Sequence, residues 1–308
     1  AQAMLPVFDD AATGKVVFGI ALSLLGAGLA WVGGYALFEK VMAVCIGVMF
    51  LTVVATAASV APDWGAIARG LVVPSIPDLH GEGLGWTVAL IGGVGGTLTL
   101  LCYGYWIRER GWNRPQDLRR SRTDLAAAYL LTGLFGVALM IIAAGVNPAL
   151  VTGPQIALGI ASQLEAAVGA FGKWCFLVGF WSAVFSSLRG VWQGIPYLFA
   201  DFVQQYTHQP GAPVAISTRS LAYRGYLLYL ALPPMLLLQA GKPVWLVIVY
   251  AVAGAFFMPL LAALLLYMNT RRAWLGELRN GLPANLVLLA SVLVFGILLY
   301  SEISKHLP

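Results

Sequence analysis

The feature of this sequence that most constrains its fold is a series of apolar stretches, each about as long as a membrane-spanning helix. Only 10% of the 308 residues are charged, whereas soluble domains carry about 25%. No alternating strand pattern is present, which argues against a β-barrel. The sequence therefore predicts an all-α integral membrane protein with a single transmembrane domain over residues 1–308. Eight segments reach or approach the roughly 20 residues of helix that span a bilayer, at residues 16–32, 41–60, 86–107, 125–146, 174–203, 221–239, 244–268 and 284–300.

Positive charge follows these segments in an alternating pattern. Most of the 18 lysines and arginines lie in every second link, and six arginines lie between residues 108 and 122. The positive-inside rule places such links in the cytoplasm. We therefore predict an Arg-rich cytoplasmic loop at residues 108–123, an extracytoplasmic loop at residues 61–85, and both chain ends outside. This bias accounts for the net charge of +5 without a nucleic-acid partner, and membrane lipids are the expected surroundings.

The stretch from Leu90 to Arg110, LIGGVGGTLTLLCYGYWIRER, is apolar but contains four glycines within five residues. Glycine costs roughly 1 kcal/mol relative to alanine inside a helix, so the cluster is expected to loosen the third segment. Secondary transporters bind substrates at such broken helices, whereas the alternative is close helix packing through small residues. Further alternatives are threonines bonded to their own helix and tyrosines in an interfacial belt. We predict that one wall of a substrate cavity consists of Gly95, Gly96, Thr97, Thr99, Cys102 and Tyr103.

The fifth segment carries polar residues on one helix face. Ser182, Ser186, Arg189 and Gln193 follow spacings of four, three and four residues, and Tyr197 extends the stripe. Serine and glutamine alone would indicate a hydrogen-bonded helix contact. An arginine within a span is costly to bury and is usually functional, although a structural ion pair or snorkelling is the alternative. We predict that Ser186, Arg189 and Gln193 line a second wall.

Carboxylates are scarce within the apolar segments. Asp124 precedes the fourth segment, and we predict that it caps the N-terminus of that helix. Asp201 is predicted to be exposed or paired with an arginine at a helix end. Glu39 lies beside basic loop residues and is predicted to be solvated.

Signatures of enzymes and cofactor sites are missing from the sequence. It contains no HExxH, GxSxG or P-loop pattern. The three cysteines form no CxxC pair and predict neither a disulfide framework nor a zinc site. We therefore expect no enzymatic activity and no cofactor.

Several of these stretches resemble the Nramp divalent-metal transporters, and more closely their divergent bacterial members. The family's sixth helix is similar to IGGVGGTLTLLCYGYWIRERGW, its seventh to DLAAAYLLTGLFGVALMIIAAG and its eighth to FWSAVFSSLRGVWQGIPYLFADF. Its last loop and eleventh helix resemble RRAWLGELRNGLPANLVLL. The resemblance implies two inverted five-helix repeats plus an eleventh helix. It also implies that the chain starts near the end of the third helix, which leaves the first helix and its Asp-Pro-Gly-Asn metal-binding motif outside this sequence.

The resemblance implies proton-coupled transport of a divalent metal ion (of the manganese, iron or magnesium type) by alternating access in the cell membrane. Where the family has Met-Pro-His, this chain has Thr99, Leu100 and Leu101, so the thioether and imidazole that suit transition metals are absent there. The metal ligands and the identity of the ion therefore stay open. One alternative is transport of a non-divalent or anionic solute, indicated by Arg189. Another is a transport-dead membrane sensor whose Arg-rich loop contacts acidic lipid or a partner.

Overall fold

A computed structural model describes residues 4, 7–8, 10–32, 36–60, 63–73, 75–76, 83–95, 99–112, 114–144, 155–207, 217–238 and 243–304. Within these residues every regular element is a helix, which confirms the predicted all-α class. The helices are α1 (Ala11–Val32), α2 (Ala36–Ser59), α3 (Trp64–Val72), α4 (Gly83–Gly95), α5 (Thr99–Glu109), α6 (Asp117–Ala143), α7 (Gln155–Thr207), α8 (Leu221–Ala231), α9 (Pro233–Leu237), α10 (Pro243–Thr270), α11 (Arg272–Leu275), a 3-10 turn (Gly276–Leu278) and α12 (Leu282–Ser304).

Five of the described helices are long and apolar enough to cross a membrane, namely α1, α2, α6, α7 and α10. Much of their apolar surface is exposed, as on α6, where 73% of the Leu130 surface is accessible. Soluble proteins rarely leave continuous apolar faces of this kind uncovered. The described helices therefore have the surface expected of segments that face lipid.

Two predicted segments are divided into shorter helices. In the third segment, α4 ends at Gly95 and α5 begins at Thr99, with residues 96–98 outside the described residues. In the sixth segment, α8 ends at Ala231 and α9 starts at Pro233, because proline has no N–H for the helical ladder and clashes with the preceding turn.

The predicted fifth segment lies in the second of two helices that together make up α7. α7 has 53 residues in all and is not one straight helix. It is kinked at Gly169, whose φ of 76° and ψ of −172° form a conformation that is essentially restricted to glycine. The kink separates residues 155–168 from the polar face that begins at Ser182.

The two predicted loops also contain helix. The Arg-rich segment at residues 108–123 is loop only in its middle, because α5 extends to Glu109 and α6 already begins at Asp117. The segment at residues 61–85 contains α3, whose start is capped by Asp63: its Oδ1 accepts a hydrogen bond from the backbone N–H of Ala66 at 3.0 Å.

The chain divides into two compact units. The first unit comprises residues 1–67 and 101–243. Its larger core lies where α2, α6 and α7 meet, with Val53, Ile142 and Leu164 among the buried residues. A second core joins α7 and α8 through Trp192 and Tyr223, against which Ala27 of α1 packs.

The second unit comprises residues 68–100 and 244–308. Leu84 and Val88 of α4 are buried there and pack against Val252 of α10 and Leu298 of α12. The glycine-rich end of α4 belongs to this unit, and a β-carbon added at Gly93 would lie 3.8 Å from that of Ala251. This separation is ordinary van der Waals contact.

Candidate functional site

The first unit contains an open polar cavity of about 430 Å³. It lies among α2, α5, α6 and α7. Three of the predicted site residues contribute to its wall: Tyr103, Arg189 and Gln193. The other lining residues are Glu39, Trp106, Ile107, Arg110, Trp112 and Asp124.

Arg189 forms an ion pair with Glu39 across this cavity. The Arg189 guanidinium contacts the Glu39 carboxylate and also donates a hydrogen bond to Oε1 of Gln193, one helical turn further on, at 3.2 Å. The Arg189 side chain keeps 17% of its surface exposed and that of Glu39 keeps 48%. The prediction that Glu39 is merely solvated is therefore wrong. Its place in the first turn of α2, where the helix dipole favours an acid, also suits it to this partner.

Asp124 lies elsewhere than predicted. α6 begins at Asp117 with Gln116 at the N-cap position, so Asp124 is two turns inside the helix and does not cap it. Its Oδ2 accepts a hydrogen bond from the Tyr103 hydroxyl at 2.9 Å, and that hydroxyl also donates to the Ser121 carbonyl at 3.3 Å. Tyr103 thus joins α5 to α6 at the cavity wall.

Asp201 is likewise neither at a helix end nor paired with an arginine, because α7 continues to Thr207. It is half-buried, and its Oδ2 accepts hydrogen bonds from the Tyr105 hydroxyl at 2.5 Å and from Nε2 of Gln205 at 2.7 Å. Two tyrosines on α5 therefore bind two aspartates on different helices.

Of the remaining predicted site residues, those that the structure describes are not among the residues lining the cavity. Cys102 is buried where α5 packs on α7, and a β-carbon added at Gly194 would lie 2.9 Å from its Sγ. Ser186 is exposed on α7, and Thr99 is half-buried at the start of α5. Gly95 is the last residue of α4. Gly96 and Thr97 lie outside the described residues.

Sequence reasoning missed most of the charged and aromatic wall. The sequence alone predicts that Glu39 is solvated and that Asp124 caps a helix. No local signal connects Glu39 with Arg189, because they lie on helices far apart in the chain. The sequence does indicate that Tyr103 and Tyr105 have different partners, because positions two apart face different sides of a helix.

The cavity is electrically balanced, with two carboxylates (Glu39 and Asp124) and two guanidinium groups (Arg110 and Arg189). Among the described residues no cluster of three or more His, Cys, Asp or Glu side chains could hold a metal ion. Both carboxylates are already engaged by partners. The arrangement is an open chamber that contains the Arg189–Glu39 ion pair, and the described residues do not form a closed metal cage.

Comparison with known proteins identifies the family. No curated protein matches the chain at a significant level. The sequence profile of the Natural resistance-associated macrophage protein-like (Nramp) family matches residues 5–303, nearly the whole chain, and confirms the resemblance seen in the helices around the glycine cluster and Arg189. The chain is an all-α, multi-pass membrane protein that belongs to the Nramp family of metal-ion transporters.

Proposed function

We propose that this protein is a secondary transporter that moves a divalent metal ion together with protons, by alternating access, in the cell membrane. The observation that carries the proposal is the family match over residues 5–303, because the family transports metal ions and generally couples this to protons. The many exposed apolar side chains of the spans are consistent with it. The ion is manganese, iron or magnesium in type.

The glycine cluster supplies the proposed substrate contacts. α4 ends at Gly95 and α5 begins at Thr99, and helix ends leave backbone carbonyl and N–H groups without helical partners. Oxygen ligands of this kind suit hard divalent cations. On this basis we assign Gly95, Gly96, Thr97 and Thr99 to the substrate path. The Thr99–Leu101 stretch contributes no thioether or imidazole ligand to this path.

The proposed role of Glu39 is to neutralise the positive charge of Arg189. At about 6 Å and an effective dielectric constant of about 20, a single positive charge repels a divalent cation by roughly 5 kcal/mol. A micromolar site has a binding free energy of only about 8 kcal/mol. Glu39 of α2 supplies the carboxylate partner that offsets the charge of Arg189.

The full-length protein in liposomes tests this proposal. Wild type is expected to take up at least one of manganese, iron, magnesium and zinc saturably, with proton entry reported by an enclosed pH dye. Arg189→Ala is expected to change the affinity for that metal by about tenfold or more, which corresponds to about 1.4 kcal/mol. Isothermal titration gives the affinity directly. Unchanged affinity for a metal that binds would return Arg189 to a purely structural role.

A second candidate, transport of an anionic solute, is favoured by the two arginines of the cavity wall. The Cζ atom of Arg110 lies 5.7 Å from the centroid of the Trp112 ring, and Arg110 lines the cavity together with Arg189. Uptake of an anion such as phosphate by liposomes, without uptake of any of the four metals, would favour this candidate.

A further inference from the structure

Two hydrogen-bond donors hold the Asp201 carboxylate, and both of them, Tyr105 and Gln205, are uncharged. Among the described residues no lysine or arginine lies within ion-pair distance of it. Arg108 lies on the next turn of α5. Within the described part of the chain, neutral groups therefore bind this carboxylate.

Glu39 and Glu165 are instead held by cations: Glu39 is paired with Arg189, and Glu165 with Lys173 at 2.8 Å. A carboxylate that gains a proton loses its negative charge and, with it, the electrostatic attraction to such a cation.

A tyrosine hydroxyl both donates and accepts hydrogen bonds. Asp201 can therefore bind and release a proton while Tyr105 stays its partner. Asp124 also has a tyrosine donor, but it is exposed and shares the cavity with Arg110.

The Tyr105–Asp201 bond fastens α5 to α7. Cys102 meets Gly194 one turn before Tyr105, and the Tyr105 ring meets that of Tyr197 edge-on, with centroids 5.3 Å apart. Residue numbers rise together along both helices, so the two run in parallel. The bond thus lies on the contact face of the helix that follows the glycine cluster.

We propose that Asp201 is a proton-binding carboxylate of the transport cycle and that Tyr105 is its positioning residue. The inference rests on the proposed function. A proton from hydronium forms an O–H bond on the carboxylate, leaving water, and returns to water when that bond breaks. The ionised carboxylate accepts a charge-assisted hydrogen bond, which is roughly twice as strong as a neutral one. Protonation therefore weakens the attachment of α5 to α7, and proton release restores it.

The test uses the full-length protein in liposomes with manganese as the probe. Asp201→Asn removes the proton-binding group but keeps an oxygen that accepts from Tyr105. This variant is expected to lose proton-driven manganese accumulation and metal-linked proton entry. It should retain manganese–manganese exchange, which requires no net proton movement. The matched control Glu165→Gln, at a carboxylate of α7 that is not among the described residues lining the cavity, is expected to keep all three activities.

Tyr105→Phe separates positioning from proton binding. It keeps the carboxylate, so metal-linked proton entry should persist, with a lower maximal rate at unchanged KM. In a background without Cys45 and Cys175, labelling of Cys102 by a thiol reagent should become faster, because α5 is held less tightly on α7.

Four results would overturn parts of this reasoning. If Asp201→Asn kept the proton coupling of the wild type, the assignment of Asp201 would be overturned. Loss of manganese exchange in this variant, together with the loss of proton coupling, would also overturn that assignment. Neither result would overturn the proposed function. Unchanged kinetics and Cys102 labelling in Tyr105→Phe would remove Tyr105 from a positioning role. Absence of any metal exchange in wild type would overturn the proposed function and this inference together.

Discussion

α2 and α7 lie close together at Gly179, and this contact makes a sharp prediction. A β-carbon added at Gly179 would overlap that of Met49 and lie 2.9 Å from the carbonyl oxygen of Cys45. Rotating a side chain relieves neither contact, so the helices must separate. Overpacking costs about 1–3 kcal/mol, and we expect the upper end of that range here. Because alanine regains roughly 1 kcal/mol of helix propensity, Gly179→Ala should lower the free energy of unfolding by about 2 kcal/mol.

Gly190 provides the matched control on the same helix. A β-carbon added there meets no atom within 4 Å, so Gly190→Ala should be neutral or stabilising by up to about 1 kcal/mol. Equilibrium unfolding of both variants in mixed micelles measures the difference, which we expect to be about 3 kcal/mol. If Gly179→Ala were as stable as Gly190→Ala, the tight crossing of α2 and α7 would be wrong.

Three further predictions concern the ion pair, the topology and a helix cap. Glu39→Gln should lower the free energy of unfolding by about 1 kcal/mol, a modest loss because Glu39 is half exposed. Adding Arg189→Gln should restore part of this lost stability. Thermal unfolding of the single and double variants measures both effects. In a cysteine-free background, an impermeant reagent applied outside cells should label Ser75→Cys but not Arg122→Cys, and the reverse pattern would invert the predicted topology. Hydrogen bonds from the Thr13 side chain and from backbone N–H groups hold the pKa of Asp10 below its usual value of 3.8. The stabilisation of the start of α1 by Asp10 should therefore be present above pH 3.8 and disappear as the pH falls through the lowered pKa. Amide hydrogen exchange measured against pH should show this loss, and Asp10→Ala should abolish the pH dependence.

Much of the helical framework could be predicted from the sequence. The apolar segments and the polar face of Arg189 and Gln193 follow from patterns within about 20 residues, the length of one membrane span. The start of α7 at Gln155 could not be predicted in this way, because Gly169 breaks the pattern and the kink is visible only in the backbone.

The partners of the charged groups were decided only by the tertiary structure. The sequence placed Arg189 in a span, but the crossing of α2 and α7 brings Glu39 to it. Asp124 and Asp201 looked like helix ends, whereas α6 and α7 extend past them and bring each to a tyrosine of α5. Local periodicity determines which face of a helix is polar, because it depends on the turn of one helix. Which charges meet depends on how closely two helices approach, and that is set by small residues of α7 such as Gly179, which faces α2, and Gly194, which faces α5.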